Sequence, residues 1–342
     1  MSMPLHNLRA VSVIDDVAPI SGRENRDCLT TFIGLATGFL SGVSFAVADI
    51  FVLLCITIGY SPAQILLVKS LVTLLALMPY FTYKKINLLE LNRKDTLLNI
   101  TKSLCENGAD VMYYYAFDMI GLGDTTAIVV GTLPIFTSIL AYVLIREKFE
   151  LHDCVNVLLN VAGIVLISRP VFIFGNTIHS PAFGYVYAIL TGLGIAIGTV
   201  CSRVMSDGVS LIAVVNYNAL GGAILMTILL YPTSDDPLCS LLYNHPITVV
   251  YLVVTATLYF AYLYTYNRSL QILSAGKVAI ITNISVVISF IADIIVFNRK
   301  AGHLEILGSV FIIVSSVIIV LFVWLETRSR VNEEIRLIQI AK

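Results

Sequence analysis

The sequence has few charged residues and no motif typical of a soluble enzyme. Only 13% of its 342 residues are Asp, Glu, Lys or Arg, and 58% are hydrophobic, which is more than a soluble domain with a polar surface carries. The net charge of -1 gives no electrostatic reason to expect a nucleic-acid partner. The sequence also has no glycine-rich phosphate loop and no Cys/His cluster with metal-ligand spacing, so we expect no cofactor and no metal.

Other absences narrow the classes of function further. The six cysteines stand singly without CxxC spacing, which indicates neither a disulfide framework nor a zinc site. The five histidines fall in tails or at loop edges, so no Cys/His or Ser/His pair suited to a membrane-embedded enzyme lies at membrane depth. No ATP-binding motif is present, and the first thirty residues lack the apolar core of a cleavable signal peptide. We therefore expect no enzymatic activity.

Long apolar stretches are what the sequence has in abundance. Segments of about 20 apolar residues predict membrane-spanning helices. Nine stand out clearly: 31–58, 62–83, 122–145, 151–168, 182–203, 209–231, 247–267, 274–297 and 303–325. A tenth candidate, 96–117, is less apolar because it contains Lys102, Glu106 and Asp110.

The distribution of basic residues decides whether 96–117 spans the membrane. Short cytoplasmic loops collect Lys and Arg. If 96–117 spans and the N-terminus is cytoplasmic, the only basic loop residues outside are Arg169, Arg299 and Lys300. If it does not span, the basic residues divide almost evenly between the two sides. The sequence therefore predicts an all-α, multi-pass protein of ten spans with both termini cytoplasmic, in the plasma membrane or an endomembrane.

The charged residues of 96–117 lie on one helical face. Lys102, Glu106 and Asp110 are spaced by four residues, and Tyr114 extends the same face. One charge near the bilayer centre costs about 2.5 to 3.5 kcal/mol, so each needs a partner, a proton or a water-filled cavity. At about 1.5 Å of rise per residue, Lys69 on the second span lies level with Asp110. We therefore expect this face to line a central cavity.

Two interpretations of these charges stay open. In the structural one, Lys69 pairs with Asp110 and Lys102 pairs with Glu106, and the pairs only orient neighbouring helices. In the functional one, the two lysines present positive charge to an anionic or zwitterionic solute while a carboxylate takes up protons.

Three further residues are weaker candidates. Lys277 and Asn283 lie on the ninth span, although Lys277 could equally extend to the cytoplasmic interface. Pro134 predicts a kink in the fourth span, because proline leaves one carbonyl of the preceding turn without its helical donor. The kink is either fixed or part of a moving helix.

One segment combines several features of a known repeat. From Gly123 to Pro170 the chain reads GDTTAIVVGTLPIFTSILAYVLIREKFELHDCVNVLLNVAGIVLISRP, with small residues at its start, Pro134 followed by Phe136, Glu147 at a helix end, and then Gly163. This segment resembles the repeat of EamA-type carriers in the drug/metabolite transporter superfamily. The preceding Tyr114-Tyr115-Ala116 resembles the end of the third helix in the animal solute-carrier family 35, subfamily G.

The resemblance implies two inverted five-helix repeats around a central site. It divides the chain into a disordered cytoplasmic tail (1–30), a first EamA-like repeat (31–170), a second EamA-like repeat (182–325) and a cytoplasmic C-terminal tail (326–342). The second half departs from the pattern at Ser285 and Asn298, where proline and glutamate are expected. Lys69 and Lys102 stand where this subfamily leads us to expect arginine, and lysine lacks its bidentate fork, so the substrate does not follow from the resemblance.

The sequence therefore predicts a secondary transporter that moves a small polar metabolite, anionic or zwitterionic, by alternating access. Its expected partners are a small-molecule solute and the lipid bilayer, and a second copy of the chain in a homodimer is also considered. The alternative is a transport-silent regulatory or scaffolding multi-pass membrane protein whose ion pairs hold the bundle together. The predicted substrate pathway consists of Lys69, Lys102, Glu106, Asp110, Tyr114, Lys277 and Asn283.

Overall fold

The computed structural model describes residues 20–84, 92–147, 151–169, 171–174, 182–205, 209–233, 246–296 and 302–340. Its regular elements are all helices, which confirms the predicted all-α class for this part of the chain. They are α1 (Ile20–Ile58), α2 (Pro62–Lys84), α3 (Arg93–Ile145), α4 (Leu151–Ser168), α5 (Val171–Phe174), α6 (Ala182–Val204), α7 (Leu211–Thr233), α8 (Ile247–Ile272), α9 (Ala275–Thr282), α10 (Ile284–Val296) and α11 (His303–Ile340).

Eight stretches of the described helices are long and apolar enough to cross a membrane. They are Cys28–Ile58, Pro62–Tyr83, Asp124–Ile145, Ala182–Val204, Leu211–Leu229, Ile247–Ile272, Ala275–Ala292 and His303–Ser329. Many of their Leu, Ile and Val side chains face outward, where lipid rather than water suits them. The chain is therefore a multi-pass membrane protein.

The chain reverses direction inside α3. Helical backbone continues from Arg93 to Ile145, yet the hydroxyl oxygens of Tyr113 and Thr126 lie 3.4 Å apart. In a straight helix those two positions would be about 20 Å apart. Helix α6 contacts both parts of α3, since the Thr191 hydroxyl donates to the Ala109 carbonyl and Gly192 packs against Thr132. Helix α3 therefore has a first limb, containing Lys102 to Tyr113, and an antiparallel second limb, containing Thr126 to Ile145.

The first and last helices are longer than the predicted spans. Helix α1 begins at Ile20, within the predicted tail 1–30, and α11 continues to Ile340, within the predicted tail 326–342. Charged residues are unfavourable in lipid but acceptable in a helix, so hydropathy marks the apolar part of a helix and not its ends. Residues 1–19 and 341–342 lie outside the described residues.

Both of these helices reach the same end of the bundle. The hydroxyl oxygens of Thr31 on α1 and Thr327 on α11 lie 3.2 Å apart. We call this the terminal end. At the opposite end, which we call the distal end, the Tyr60 hydroxyl lies 2.7 Å from the Thr248 hydroxyl.

The ninth predicted span, 274–297, is not one helix. Helix α9 ends at Thr282 and α10 begins at Ile284, with Asn283 between them. The side chain of Asn283 donates a 2.6 Å hydrogen bond to the side-chain oxygen of Asn160 on α4. A single apolar run cannot reveal such an interruption, because hydropathy is the same on both sides of it.

Glycine allows the main helix pairs to pack closely. Helix α1 packs along α8, α3 along α6, α2 along α7 and α4 along α11. A Cβ atom on Gly34 would lie 2.7 Å from Ile272, and one on Gly163 would lie 2.7 Å from the carbonyl oxygen of Gly308. Small residues let helices approach closely in a membrane, so these glycines permit the observed packing of α1 on α8 and of α4 on α11.

Candidate functional site

Lys69 and Asp110 form an ion pair between α2 and the first limb of α3. The Lys69 Nζ atom lies 3.3 Å from Asp110 Oδ2 and 3.4 Å from the centroid of the Tyr259 ring on α8. The lysine side chain is only 5% exposed, whereas the aspartate is 26% exposed. A desolvated ammonium gains from both a carboxylate and an aromatic face, so three helices together satisfy the charge of Lys69.

A second ion pair joins Lys102 and Glu106 one turn apart on α3. Lys102 is almost completely buried, at 1% exposure, and Glu106 is 13% exposed. The other carboxylate oxygen of Glu106 accepts a 2.8 Å hydrogen bond from the side-chain amide of Asn218 on α7. Because Lys102 and Glu106 are paired, neither carries the full desolvation free energy of an unpaired charge in the interior of the bundle.

Neutral polar groups fix α7 against α3 and thereby position Asn218. The Asn107 side-chain amide donates to the Asn218 carbonyl at 3.1 Å, and the Ser103 hydroxyl donates to the Tyr217 carbonyl at 3.0 Å. Gly222 on α7 provides the room, because a Cβ atom there would lie 2.5 Å from Asn107. Helix α7 is therefore held in register with the charged face of α3.

Helix α6 approaches the same face from the other side. A Cβ atom on Gly198 would lie 2.6 Å from Glu106 Cγ, and one on Gly194 would lie 3.0 Å from the Cys105 carbonyl oxygen. Glycine at these positions lets the α6 backbone lie directly against Glu106.

Aromatic side chains of α8 line the cluster. The ring centroids of Tyr259 and Tyr262 are 5.3 Å apart, those of Tyr262 and Tyr266 are 5.5 Å apart, and Phe45 on α1 lies 5.0 Å from Tyr262. The Tyr266 hydroxyl is hydrogen-bonded to Thr199 on α6 at 2.8 Å. These rings place polar hydroxyls and apolar faces side by side along the interior.

The exposure of the charged side chains falls from the distal end toward the terminal end. The exposed fraction is 26% at Asp110, 13% at Glu106 and 1% at Lys102. Of these three residues, Asp110 lies nearest the distal end and Lys102 nearest the terminal end. Asp49 on α1 is exposed and lies within electrostatic range of Lys69 and Asp110. The charged side chains of the cluster are therefore more exposed toward the distal end than toward the terminal end.

Contacts at the terminal end join four helices. Glu147, just beyond α3, accepts a 2.9 Å bond from Arg203 Nε at the end of α6 and a 3.1 Å bond from the Ala275 amide at the start of α9. Arg203 Nη1 also donates to the Leu270 carbonyl near the end of α8, at 2.9 Å. This hub holds the helices together on the side where the charged residues are buried.

The structure brings together most of the predicted site residues. Lys69, Lys102, Glu106 and Asp110 form the cluster, and the two ion pairs predicted in the structural interpretation are confirmed. Tyr114 packs beside Leu66, Leu67 and Met226 and lies within electrostatic range of Asp110. Their role in transport stays a prediction.

Three predicted residues lie elsewhere. Lys277 pairs with Glu326 on α11 at 3.1 Å, near the terminal end. Asn283 contacts Asn160 at the break between α9 and α10. Pro134 is buried within the second limb of α3.

The pathway predicted from the sequence included neither Asn218 nor Asp49. The signal for Asn218 is that it is one of two amides, with Asn216, in a largely apolar stretch of α7, since such a group needs a buried partner. The signal for Asp49 is its spacing from Gly42 and Phe45, which puts all three near one face of α1.

Comparisons with known proteins show the family and the fold of the chain. The model of the family described as EamA-like transporter family matches residues 32–169 and 182–321. The mouse protein "Solute carrier family 35 member G1" is 27% identical over 86% of this chain and 80% of its own length. The human protein of the same name is 25% identical over 83% of this chain and 78% of its own length. A crystal structure with 14% identity covers 86% of this chain and 97% of its own, with a TM-score of 0.69, so it shares the fold.

Proposed function

The chain belongs to the EamA-like transporter family, and from that premise we propose that it is a secondary transporter moving a small polar solute across a membrane by alternating access. The observation that supports the proposal is the interior cluster of Lys69, Lys102, Glu106 and Asp110, whose exposure is greatest at Asp110. Charged side chains inside a membrane bundle usually mark the path of a solute or ion.

We further propose that ten spans form two inverted five-helix repeats, 31–170 and 182–325. The first limb of α3 and the short helix α4 add to the eight apolar spans, and the family model matches once in each half. Helix pairing also has the expected symmetry. The first span of each half packs on the third span of the other (α1 on α8, α6 on α3), while second packs on second (α2 on α7) and fifth on fifth (α4 on α11).

The orientation proposed for the bundle places the terminal end in the cytoplasm. The excess of Lys and Arg in the loops and tails of that side supports it. The cluster would then face the outside of the cell or the lumen of an organelle through the distal end. A homodimer stays a prediction.

The solute proposed for this site carries an anionic group, alone or as part of a zwitterion. Lys69 is the more accessible of the two paired lysines, because its partner Asp110 is 26% exposed. A carboxylate or phosphate on the solute would exchange with Asp110 as the partner of Lys69, and the phenols of Tyr114 and Tyr259 would stand beside it. The name of the mouse and human relatives, solute carrier, supports transport in general and leaves the solute open.

A second candidate function is a scaffolding or regulatory membrane protein that transports nothing. The observation in its favour is that Lys69 and Lys102 are both already paired, so the cluster needs no solute to be stable. Transport and scaffolding differ in whether these pairs exchange partners.

The test is uptake of solutes by purified protein reconstituted into liposomes. A panel of labelled anionic and zwitterionic metabolites is offered to the wild type, to Lys69→Met and to Lys94→Met, a matched control at an exposed position of α3. We expect the wild type and Lys94→Met to take up the same solute and Lys69→Met to lose at least tenfold of the initial rate, since a tenfold change corresponds to about 1.4 kcal/mol. If no member of the panel enters with the wild type, or if Lys69→Met matches the control, the proposed transport role is wrong.

A further inference from the structure

The contacts of Arg203 lie between the charged cluster and the terminal end. Along α6, Arg203 is five residues beyond Gly198, which packs against Glu106, and this corresponds to about 8 Å. Along α8, the Leu270 carbonyl that accepts from Arg203 is eleven residues beyond Tyr259, the aromatic neighbour of the cluster, or about 16 Å. A solute that leaves the cluster toward the terminal end therefore has to pass the level of these contacts.

These contacts join the two segments that match the family model. Glu147 lies in the first matched segment, and its partners lie in the second. Glu147 uses both carboxylate oxygens, since Oε1 accepts from Arg203 Nε at 2.9 Å and Oε2 accepts from the Ala275 amide at 3.1 Å. We call these contacts of Glu147 and Arg203 the terminal hub. One carboxylate thus links the first segment to two helices of the second.

The interior next to the terminal hub is filled by apolar side chains. Ala141 on α3, Val200 on α6 and Leu270 on α8 belong to one buried cluster, and each is at most 3% exposed. Cys201, the next residue along α6, is also buried. At this level the terminal end is therefore closed by the hub and by an apolar layer that three helices share.

Two hydroxyl groups in this region are buried without a hydrogen-bond partner among the described residues. They belong to Ser138 on α3 and to Ser202 on α6. Ser138 lines a cavity that lies directly beside Glu147. A buried polar group without a partner is unfavourable, and water that enters when the end opens would supply one. The cavity also gives the Glu147 side chain room to move away from Arg203.

We propose that the terminal hub is a gate that closes the terminal end, and that the gate opens when Glu147 leaves Arg203. The proposal rests on the proposed function, because alternating access requires the terminal end to open. Arg203 is 28% exposed and Glu147 is 18% exposed, so water can solvate both charges once they separate. Separating Lys102 from Glu106 would instead leave a charge that is 1% exposed without a partner. The hub is therefore the pair that can break and re-form during transport.

The native residue Cys201 reports the opening of this gate without any solute. It lies two residues before Arg203 and its thiol is free, so a maleimide reaches it slowly while the hub is closed. The protein is held in lipid nanodiscs, which expose both ends to a water-soluble maleimide, and mass spectrometry gives the alkylation rate of each cysteine. Cys55, buried with Tyr60 at the distal end, is the internal control for loss of folding.

Three variants separate the hub from other contacts at the same end. Arg203→Met removes the ion pair. Arg203→Lys keeps the charge, but lysine lacks the fork with which arginine binds Glu147 and the Leu270 carbonyl together. The matched control is Lys277→Met, which removes a 3.1 Å ion pair with Glu326 that joins α9 to α11 and does not involve the first segment.

We expect alkylation of Cys201 to be about tenfold faster in Arg203→Met than in the wild type, because hydrogen bonds of a charged group hold the closed state. The rate should be intermediate in Arg203→Lys and unchanged in Lys277→Met, and Cys55 should react slowly in all four proteins. The gate is overturned if Cys201 reacts equally in Arg203→Met and the wild type, or if Lys277→Met accelerates it as much. Faster alkylation of Cys55 together with Cys201 would also overturn it, since the hub would then hold the whole fold.

The gate and the proposed transport role can fail separately. The alkylation rates are measured without solute, so they do not depend on finding one in the uptake screen. A protein that takes up a solute while its Cys201 does not respond to Arg203→Met would contradict the gate alone. A protein whose Cys201 responds as expected but that moves no solute would support the opening of the terminal end while contradicting the transport role.

Discussion

The two segments that match the family model differ in chemistry more than in arrangement. The segment 32–169 supplies every charged side chain of the interior cluster described above, namely Lys69, Lys102, Glu106 and Asp110. The segment 182–321 supplies neutral partners, the amide of Asn218 and the rings of Tyr259, Tyr262 and Tyr266. Glycine allows close helix approach in both segments, at Gly34 against Ile272 and at Gly184 against Ile120. The comparison teaches that a repeated scaffold can hold a site in which one half provides charge and the other solvates it.

The two segments also differ in how a helix accommodates an irregular residue. The second limb of α3 contains Pro134, which lacks a backbone donor, and the helix continues through it. In the second segment α9 ends before Asn283 and α10 begins after it, and Asn160 accepts a hydrogen bond from the Asn283 side chain.

The largest predicted effect comes from removing a charge that the first segment supplies. Lys102→Met leaves the carboxylate of Glu106 in the interior without its ammonium partner, and breaking a buried pair in this way costs about 3 to 5 kcal/mol. We expect a large drop in the unfolding temperature of the purified protein. Tyr266→Phe, a change in the second segment, removes a neutral hydrogen bond to Thr199 and should cost about 1 kcal/mol.

The double variant Lys102→Met with Glu106→Gln serves as the control. It restores neutrality, and the glutamine side chain can still accept the hydrogen bond from Asn218. We expect it to recover most of the lost stability. Equal losses in the single and double variants would mean that Lys102 stabilises the bundle by packing and not by charge, which would break the contrast between the two segments.

A smaller effect is expected from the aromatic face that the second segment gives to Lys69. Tyr259→Leu removes the ring that lies 3.4 Å from Lys69 Nζ, and a cation–π contact of a desolvated ammonium is worth about 2 kcal/mol. Tyr259→Phe keeps the ring and should retain most of that stabilisation. The difference in unfolding temperature between the two variants measures the contact, and no difference would show that Asp110 alone holds Lys69.

The sequence predicted the ion pairs better than it predicted the site around them. Spacing along one helix brought Glu106 to Lys102, and depth counting brought Asp110 level with Lys69, because both depend only on the helical rise. Neither quantity gives the rotation of a helix about its axis. This rotation is what brings Asn218 to Glu106.

Backbone irregularities were also beyond prediction from apolar periodicity. The break at Asn283 lies within an apolar run, and the amide there reads equally well as a substrate ligand or as a helix terminus. The side chain of Asn283 donates a hydrogen bond to Asn160 on α4, and nothing local to Asn283 indicates that partner. For the same reason Lys277, which the sequence placed near the pathway, is found with Glu326 of α11.

The smallest predicted effects come from replacing glycine by alanine. They differ between a glycine that lies at a close helix contact and a glycine that has no neighbour. On α6, Gly194 lies against the Cys105 carbonyl, where a Cβ atom would be 3.0 Å from the oxygen, so Gly194→Ala forces the α3–α6 interface apart and should lower the unfolding temperature. On α3, a Cβ atom on Gly108 would meet nothing within 4 Å. Gly108→Ala should therefore stabilise the helix by about 0.5 to 1 kcal/mol, because alanine loses less backbone entropy on folding. A destabilised Gly108→Ala would show that the first limb of α3 comes closer to a neighbour than this structure has it.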